Sequence, residues 1–435
     1  MICFITGRGY EMTLAPLRRD RAAPDIRVYH YEKLAGRRTL PRATYIFTEI
    51  DRLSTGALID AARLYRRLRE QGCRVLNDPA RVRTRGSLLP ALFAAGMNPI
   101  DAWWVDEDRA PRRFPVFIRV ANAHDGPLSD LIWSVDDLSR AVEAAVVAGY
   151  PRSTLMVVEY MAEEIAPGVF RKGSVYRIGE RYVADVWTYA RSWSVKADRR
   201  DIVEGRDDAG ELAMMRANAY PPEAEAAFAL AEIEYGRLDF GIVDGRFCVY
   251  EINTNPELFG IRPHPIPERN ETIGLKWRAQ LAGLHTIDTP SAGARDRVAV
   301  AGASVEALAR SREVYPMPPI QVRLGVELAR RGNRDAALQS AEDALAANPG
   351  STPALSAAGR ARARAGRLDE AIATMESVVE ASPSRRRDRA FLAVLLLKAG
   401  HPAAAFRHLW RIGIQRIVAQ RWAFLARSLA SRLRH

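Results

Sequence analysis

Glycine recurs at positions 332, 366 and 400, alanine at 337, 371 and 405, and proline at 349 and 383, each at an interval of 34 residues. Gly325 and Gly359 keep the same interval. A fixed period of this length marks a stacked repeat, in which each unit buries its apolar face only against its neighbours. Inside the period, apolar residues fall at helical spacing, as at Ala337, Ala341, Ala344 and Leu345, while Gly332 and Gly366 stand where one helix gives way to the next. Each unit therefore reads as a helix pair, and residues 318–435 as an all-α solenoid. The third unit lacks the closing proline, and the helical pattern from Ala419 to Leu433 is expected to cap the stack.

The marks resemble those of the tetratricopeptide repeat: Leu324-Gly325 in a first helix, Ala337 and Ala344 in a second, Pro349 after it, then Gly359, Ala371 and Pro383 in the next unit. That resemblance implies a concave surface for a peptide or protein. Residues 320–435 hold 20 Lys+Arg against 9 Asp+Glu, out of 64 and 52 in the whole chain, which leaves the upstream part near neutrality. An acidic partner for the tail follows, with a merely solvated arginine surface as the alternative. Nucleic acid is not expected, because the basic charge comes with no recognised binding fold.

A length of 435 residues with 48% apolar residues suits two or three folded units. No apolar run reaches the roughly 20 residues of a membrane helix, and Arg8 interrupts the start where a signal peptide would stay apolar, so no membrane partner and a cytoplasmic location are expected. Cys3, Cys73 and Cys248 are too scattered for a disulfide framework or a metal knuckle and read as small buried hydrophobes.

Upstream of the repeats, residues 286–317 carry Pro290, Gly293, Gly302, Pro316 and little periodicity, and are expected to form a linker with one helix near Val305 to Arg312. Before it, strand-like runs (Ile2–Ile5, Thr44–Phe47, Arg74–Leu76, Val116–Arg119, Leu155–Val158) alternate with helical patterns (Ala57–Arg69, Leu138–Val147). This predicts an α/β unit over residues 1–80 and an α+β unit over 81–285. Two hairpins are expected in the latter. Ser174–Ile178 and Tyr182–Trp187 flank Gly179-Glu180, and Leu238–Val243 and Phe247–Ile252 flank Asp244-Gly245.

The second hairpin carries the most chemistry. Its pairing sets Asp239 opposite the end of the next strand, where Glu251 and Asn253 share a face by alternation. Two carboxylates and an amide oxygen are hard ligands that suit Mg²⁺ bridged to phosphates, although a hairpin with solvated acids has the same pattern. No Gly-x-x-x-x-Gly-Lys-Ser/Thr loop, complete Gly-x-Gly-x-x-Gly turn or His-Glu-x-x-His pair occurs.

With Asp239 followed by Glu251-Ile252-Asn253, the chain resembles the ATP-grasp superfamily over roughly residues 75–260. The resemblance implies an ATP-grasp domain over 81–285 behind an α/β pre-ATP-grasp domain, ATP as cofactor, and Mg²⁺ (or Mn²⁺) at Asp239, Glu251 and Asn253. Asn77-Asp78-Pro79 and Gly96-Met97-Asn98-Pro99 resemble the family's opening turns, and Arg83 or Arg85 stands where a phosphate-binding lysine is usual. Arg119, at the end of Val116–Arg119, matches a second basic phosphate ligand. The loop with His124 and Gly126 takes the place of a glycine-rich phosphate cover. Glu159 and Met161 match the hinge that meets the adenine edge, with Glu163 or Glu164 near the ribose.

Lys172 and Lys196 are two of only five lysines beside 59 arginines. A compact ammonium fits against a γ-phosphate, so these two, with Arg177 and Arg119, are the catalytic candidates, although exposed strand cations read the same way. Arg262 and His264 are placed to meet a substrate carboxylate. The activity implied is peptide-bond-forming carboxylate–amine ligation through an acylphosphate, acting on a peptide or protein segment held by the repeats. The alternatives are a nucleotide-binding or inactive ATP-grasp scaffold whose repeats mediate protein contacts, and a phosphotransferase that stops after phosphoryl transfer.

Overall fold

The computed structural model describes residues 1–34, 37–123, 126–195, 205–258, 266–290, 296–300, 305–314 and 317–413. The chain divides into two compact units, residues 1–301 and 302–435.

Strand β1 (Ile2–Thr6) is apolar on both faces because both are covered: Ile2 and Phe4 look one way, Cys3 and Ile5 the other, and all four are fully buried. It pairs in parallel with β2 (Ile26–His30) and β4 (Thr44–Phe47), and β5 (Val75–Leu76) completes the sheet in the order β2-β1-β4-β5. Short helices α1 (Ala15–Arg19) and α2 (Tyr31–Leu34) and the strand β3 (Thr39–Pro41) lie in the connections. Helix α3 (Thr55–Glu70) begins at Ser54, whose hydroxyl accepts the Ala57 amide, and turns Ala61, Tyr65 and Leu68 onto the Cys3 and Ile5 face.

Helix α4 (Arg85–Ala94) leads into a three-stranded antiparallel sheet of order β6-β8-β7, made of β6 (Ala102–Trp104), β7 (Val116–Val120) and β8 (Leu155–Glu159). Helix α5 (Val135–Val147), capped by Ser134, covers one face with Leu138, Val142 and Ala145. The second antiparallel sheet runs β11-β10-β12-β13, with β9 (Glu163–Ala166) also on β10. Its long hairpin is β10 (Val169–Ile178) and β11 (Arg181–Ala190), turning at Gly179. After α6 (Asp208–Ala217) and α7 (Glu223–Ala231) comes the other hairpin, β12 (Tyr235–Val243) and β13 (Arg246–Asn253). It turns through Asp244 and Gly245, both at positive φ (50° and 71°), as an Asp-Gly hairpin turn requires.

Helix α8 (Pro267–Ile287) sends Trp277, Leu281, Leu284 and Ile287 into one core with Ile2, Phe4 and Ile46 of the parallel sheet and Tyr176, Ile178 and Tyr235 of the antiparallel one. The boundary expected at residue 80 is thus crossed by a shared core. Asn77, fully buried with φ 62°, stitches the two sheets: its side-chain amide donates to the carbonyls of Phe47 (3.0 Å) and Tyr235 (2.8 Å), and its oxygen accepts the amides of Glu234 and Tyr235.

The linker expected over 286–317 is corrected. Strand β14 (Arg297–Ala299) pairs antiparallel with β3, and Val298 is 2% exposed in the core that also holds Leu40 and Tyr45. Burying Val298 outweighs the prolines and glycines around it. Helix α9 (Val305–Val314) already belongs to the second unit, where it packs on α10 (Pro318–Arg330).

Antiparallel helix pairs follow: α10 with α11 (Arg334–Ala347), then α12 (Thr352–Arg364) with α13 (Leu368–Ala381), then α14 (Arg386–Lys398), after which residues 402–413 are helical. The cap expected from Ala419 to Leu433 lies outside the described residues. The repeating glycines have two physical origins. Gly332, Gly366 and Gly400 close helices at φ of 83°, 82° and 79°. Gly325 and Gly359 let paired helices touch: a β-carbon there would stand 3.1 Å from the Ala337 carbonyl oxygen and 2.7 Å from the Met375 sulfur. Among the described residues no helix is long and apolar enough to cross a membrane.

A fragment ending at residue 290, which keeps the whole of α8, loses β14 and the buried Val298. Urea denaturation should find it less stable than a fragment ending at residue 301 by about 2 kcal/mol or more, the cost of exposing one valine. Equal midpoints would show that β14 contributes nothing.

Candidate functional site

A cleft of about 340 Å³ opens in the first unit where the two antiparallel sheets approach each other. One end is apolar: Leu89 of α4, Ile100, Phe117 of β7, Val158 of β8 and Met161 line it. Trp193 stands over this end, with ring centroids 5.1 Å from Phe117 and 5.6 Å from Tyr160. The other end is lined by Arg85, Arg119, Lys172, Arg237, Asp239 and Glu251.

The charged end is built on one face of the β10-β12-β13 sheet. Pairing aligns Ser174, Asp239 and Glu251 in one row and Tyr176, Arg237 and Asn253 in the next. Phe247, Val249 and Ile252 all lie in the core on the opposite face, which strict alternation along β13 would forbid. A β-bulge resolves it: Asp239 pairs with Glu251 but Phe240 pairs with Val249, so Tyr250 is the extra residue. The one-residue shift puts Tyr250 and Glu251 side by side in the cleft lining.

Asp239 is fully buried and accepts from Lys172 Nζ (2.7 Å), Arg237 Nε (2.9 Å) and Ser174 Oγ (2.9 Å). Burial alone would raise its carboxyl, but Arg237 and Lys172 outweigh that and hold it well below the usual carboxylate range. Behind it, Asp185 pairs with the buried Lys276 at 3.0 Å and with Arg237 at 4.0 Å. Glu251 is ion-paired with Arg85.

Arg119 differs from the other cations. Among the described residues its only hydrogen-bond acceptors are carbonyls, of Ala123 at 3.0 Å and Val120 at 3.5 Å. Burial, and then the charge of Arg85, lower its pKa to about 9; burial also brings Arg85 to about 10. A guanidinium stays charged at neutral pH, so these shifts record a charge held at a cost, which an anion in the cleft would relieve.

Of the residues expected from sequence, Arg85, Arg119, Gly126, Glu159, Met161, Lys172, Asp239 and Glu251 line the cleft. Glu159 turns its side chain away, to Arg112 (2.8 Å) and Arg113 (3.1 Å), so its main chain is what borders the space. Other expectations are corrected. Arg177 alternates to the far face of β10, where it donates to the carbonyls of Gly179 and Ile233. Glu164 is exposed and accepts the Gly168 amide of its own turn, Glu163 is ion-paired with Arg171, and Arg83 donates to the Leu230 carbonyl. Asn253 is not in the cleft lining, and its side-chain oxygen accepts the Asn255 amide at 2.8 Å. His124, Lys196, Arg262 and His264 lie outside the described residues. Sequence reasoning missed Arg237, although its position two residues before Asp239 on one strand already put both on one face.

The profile of the tetratricopeptide repeat family matches residues 328–395, so the second unit contains such repeats. No curated protein matches the chain. Among solved structures, the crystal structure of MamA is 17% identical over 27% of this chain and 69% of its own, with a TM-score of 0.26. MamA residues 41-end from Desulfovibrio magneticus RS-1 is 19% identical over 26% and 65%, with a TM-score of 0.25.

Two substitutions should act in opposite directions. Asp239→Ala strands Arg237 and Lys172 in a buried site and should cost about 3–5 kcal/mol in chemical denaturation. Arg119→Met removes a half-buried charge that has no carboxylate partner among the described residues, and should leave stability unchanged or raise it. Destabilisation by Arg119→Met comparable to that of Asp239→Ala would contradict this account of the charges.

Proposed function

We propose that the cleft binds Mg²⁺·ATP and that the first unit is an ATP-grasp carboxylate–amine ligase, with the repeats engaging the peptide or protein on which it acts. The observation that carries this reading is Arg119, a half-buried cation with no carboxylate partner among the described residues, at the charged end of a cleft whose other end is apolar. A flat purine suits Leu89, Ile100, Phe117, Val158 and Met161, and its edge would meet the main chain at Met161, since the amides of Glu159 and Tyr160 already donate to the carbonyls of Asp101 and Pro115. A triphosphate suits Arg85, Arg119, Lys172 and Arg237.

The donor set fits a hard divalent ion: Asp239 and Glu251 face each other across neighbouring strands, and the cations now paired with them are themselves phosphate ligands. Asp239 and Glu251 would hold Mg²⁺, and the ion would supply charge neutralisation between the phosphates. In the reaction proposed, a substrate carboxylate oxygen bonds to the γ-phosphorus as ADP leaves. An amine then attacks the acyl carbon, phosphate departs and the amine proton is lost. Arg119, Lys172 and Arg237 hold phosphoryl oxygens through the first step, and Asp185 with Lys276 keeps Arg237 oriented.

A second reading is a nucleotide-binding scaffold without turnover, whose repeats mediate protein contacts. The ion pairs already engaging Asp239 and Glu251 and the repeat match over residues 328–395 favour it.

Calorimetry and an ADP-release assay separate the readings. ATP should bind with Mg²⁺, weaken sharply with chelator, and bind Arg119→Met at least tenfold less tightly, about 1.4 kcal/mol for one charge-assisted contact. Indifference to chelator and to Arg119→Met would sink the nucleotide site. Binding with no ADP released in the presence of acidic peptides and amines would leave the scaffold. Full-length chain should also hold an acidic peptide in a salt-sensitive way that a fragment ending at residue 301 does not, since exposed charges are screened over about 8 Å at physiological ionic strength. Salt-independent binding would make the arginines a solvated surface.

A further inference from the structure

A second cavity, of about 760 Å³, shares no lining residue with the nucleotide cleft. Four separate segments build it: the end of α4 and its following turn, the loop before β7, the start of α7, and the β12–β13 turn. Its apolar walls are Phe93, Met97 and Phe247, and its charged lining is three arginines, Arg112, Arg113 and Arg246, and one carboxylate, Glu223.

These arginines are held in place without being used up. Arg112 lies 4.2 Å over the Phe93 ring, donates through Nη2 to Glu159 and pairs through Nε with Asp101 at 3.5 Å. Arg113 donates through Nε to the same Glu159 oxygen and through Nη2 to the Pro99 carbonyl at 2.9 Å. Among the described residues, Nη1 of neither makes a hydrogen bond, and the exposed Arg246 has no acidic partner. Asn98, 2% exposed, anchors the intervening turn by exchanging hydrogen bonds with the main chain of Val249. The result is a fixed apolar slot with spare, oriented donors at its rim.

We infer that this cavity binds an organic oxyanion carried on a flat apolar body, an aryl phosphate or aryl carboxylate, with the ring among Phe93, Met97 and Phe247 and the oxyanion on Arg113 and Arg246. The reading is independent of the nucleotide proposal, because the two sites have no residue in common. It has one consequence for the cleft: Arg112 and Arg113 grip Glu159, whose main chain borders the apolar end, so an anion drawing on these arginines acts on the strand that meets the nucleotide base.

Phenyl phosphate titrated into the full-length chain tests the site by calorimetry. Binding should be weakened about tenfold by Arg246→Glu, in an exposed turn where the change should not disturb folding, and be unaffected by Arg119→Met in the other cleft. Inorganic phosphate should bind more weakly than phenyl phosphate, since it lacks the ring. The inference is overturned if no heat is seen, if Arg119→Met abolishes binding while Arg246→Glu does not, or if inorganic phosphate binds as tightly, which would mean a bare ion on surface arginines.

Discussion

Asp239 is the point on which the first unit turns. A carboxylate with no solvent exposure persists only because Lys172, Arg237 and Ser174 surround it, and these come from strands β10 and β12, which the sheet register brings together. The same interaction extends outward through Arg237 to Asp185 and Lys276, so α8 is tied electrically to the face that β10, β12 and β13 present. Among the described residues, four cations, Arg85, Lys172, Arg237 and Lys276, share three carboxylates, Asp185, Asp239 and Glu251, and Arg119 pairs with none of them. The excess is positive and falls on Arg119, at the place where the cleft is open.

Stability and ligand recognition therefore pull apart at neighbouring positions. Asp239 is needed for the fold because Lys172 and Arg237 would otherwise lose their nearest carboxylate, whereas Arg119 meets only carbonyls among the described residues. A residue of the second kind is better evidence for a ligand than one of the first, since packing alone does not explain it.

Much of this was legible in the sequence where the determinants are local. The Asp244-Gly245 turn, the alternation around it and the 34-residue spacing of Gly332, Gly366 and Gly400 each need only a few adjacent residues to specify a conformation. Longer-range features were less accessible. Residues 297–299 look like linker because the reason they form a strand, the pocket that takes Val298, is assembled from residues more than two hundred positions earlier. Arg177 was expected beside Lys172, and period-two alternation from Ser174 would have sent it to the other face. Asn253 follows Glu251 on the same face, as expected, yet stands beyond the cleft lining. The helical repeats were legible at the level of individual glycines because close helix contact tolerates no side chain at Gly325 or Gly359.

The bulge at Tyr250 gives the site a dependence on chain length that no single side chain reveals. Upstream of it, the odd-numbered Phe247 and Val249 of β13 point into the core; downstream the parity reverses, with Ile252 in the core and Glu251 in the cleft lining. Straightening the ladder with every residue kept would put Glu251 and Asn253 on the side of Phe247 and Val249, whereas deleting Tyr250 would restore a regular ladder and keep them opposite. The irregularity is thus a reading frame in three dimensions: it lets one short strand serve an apolar core along its first half and a charged cleft along its second.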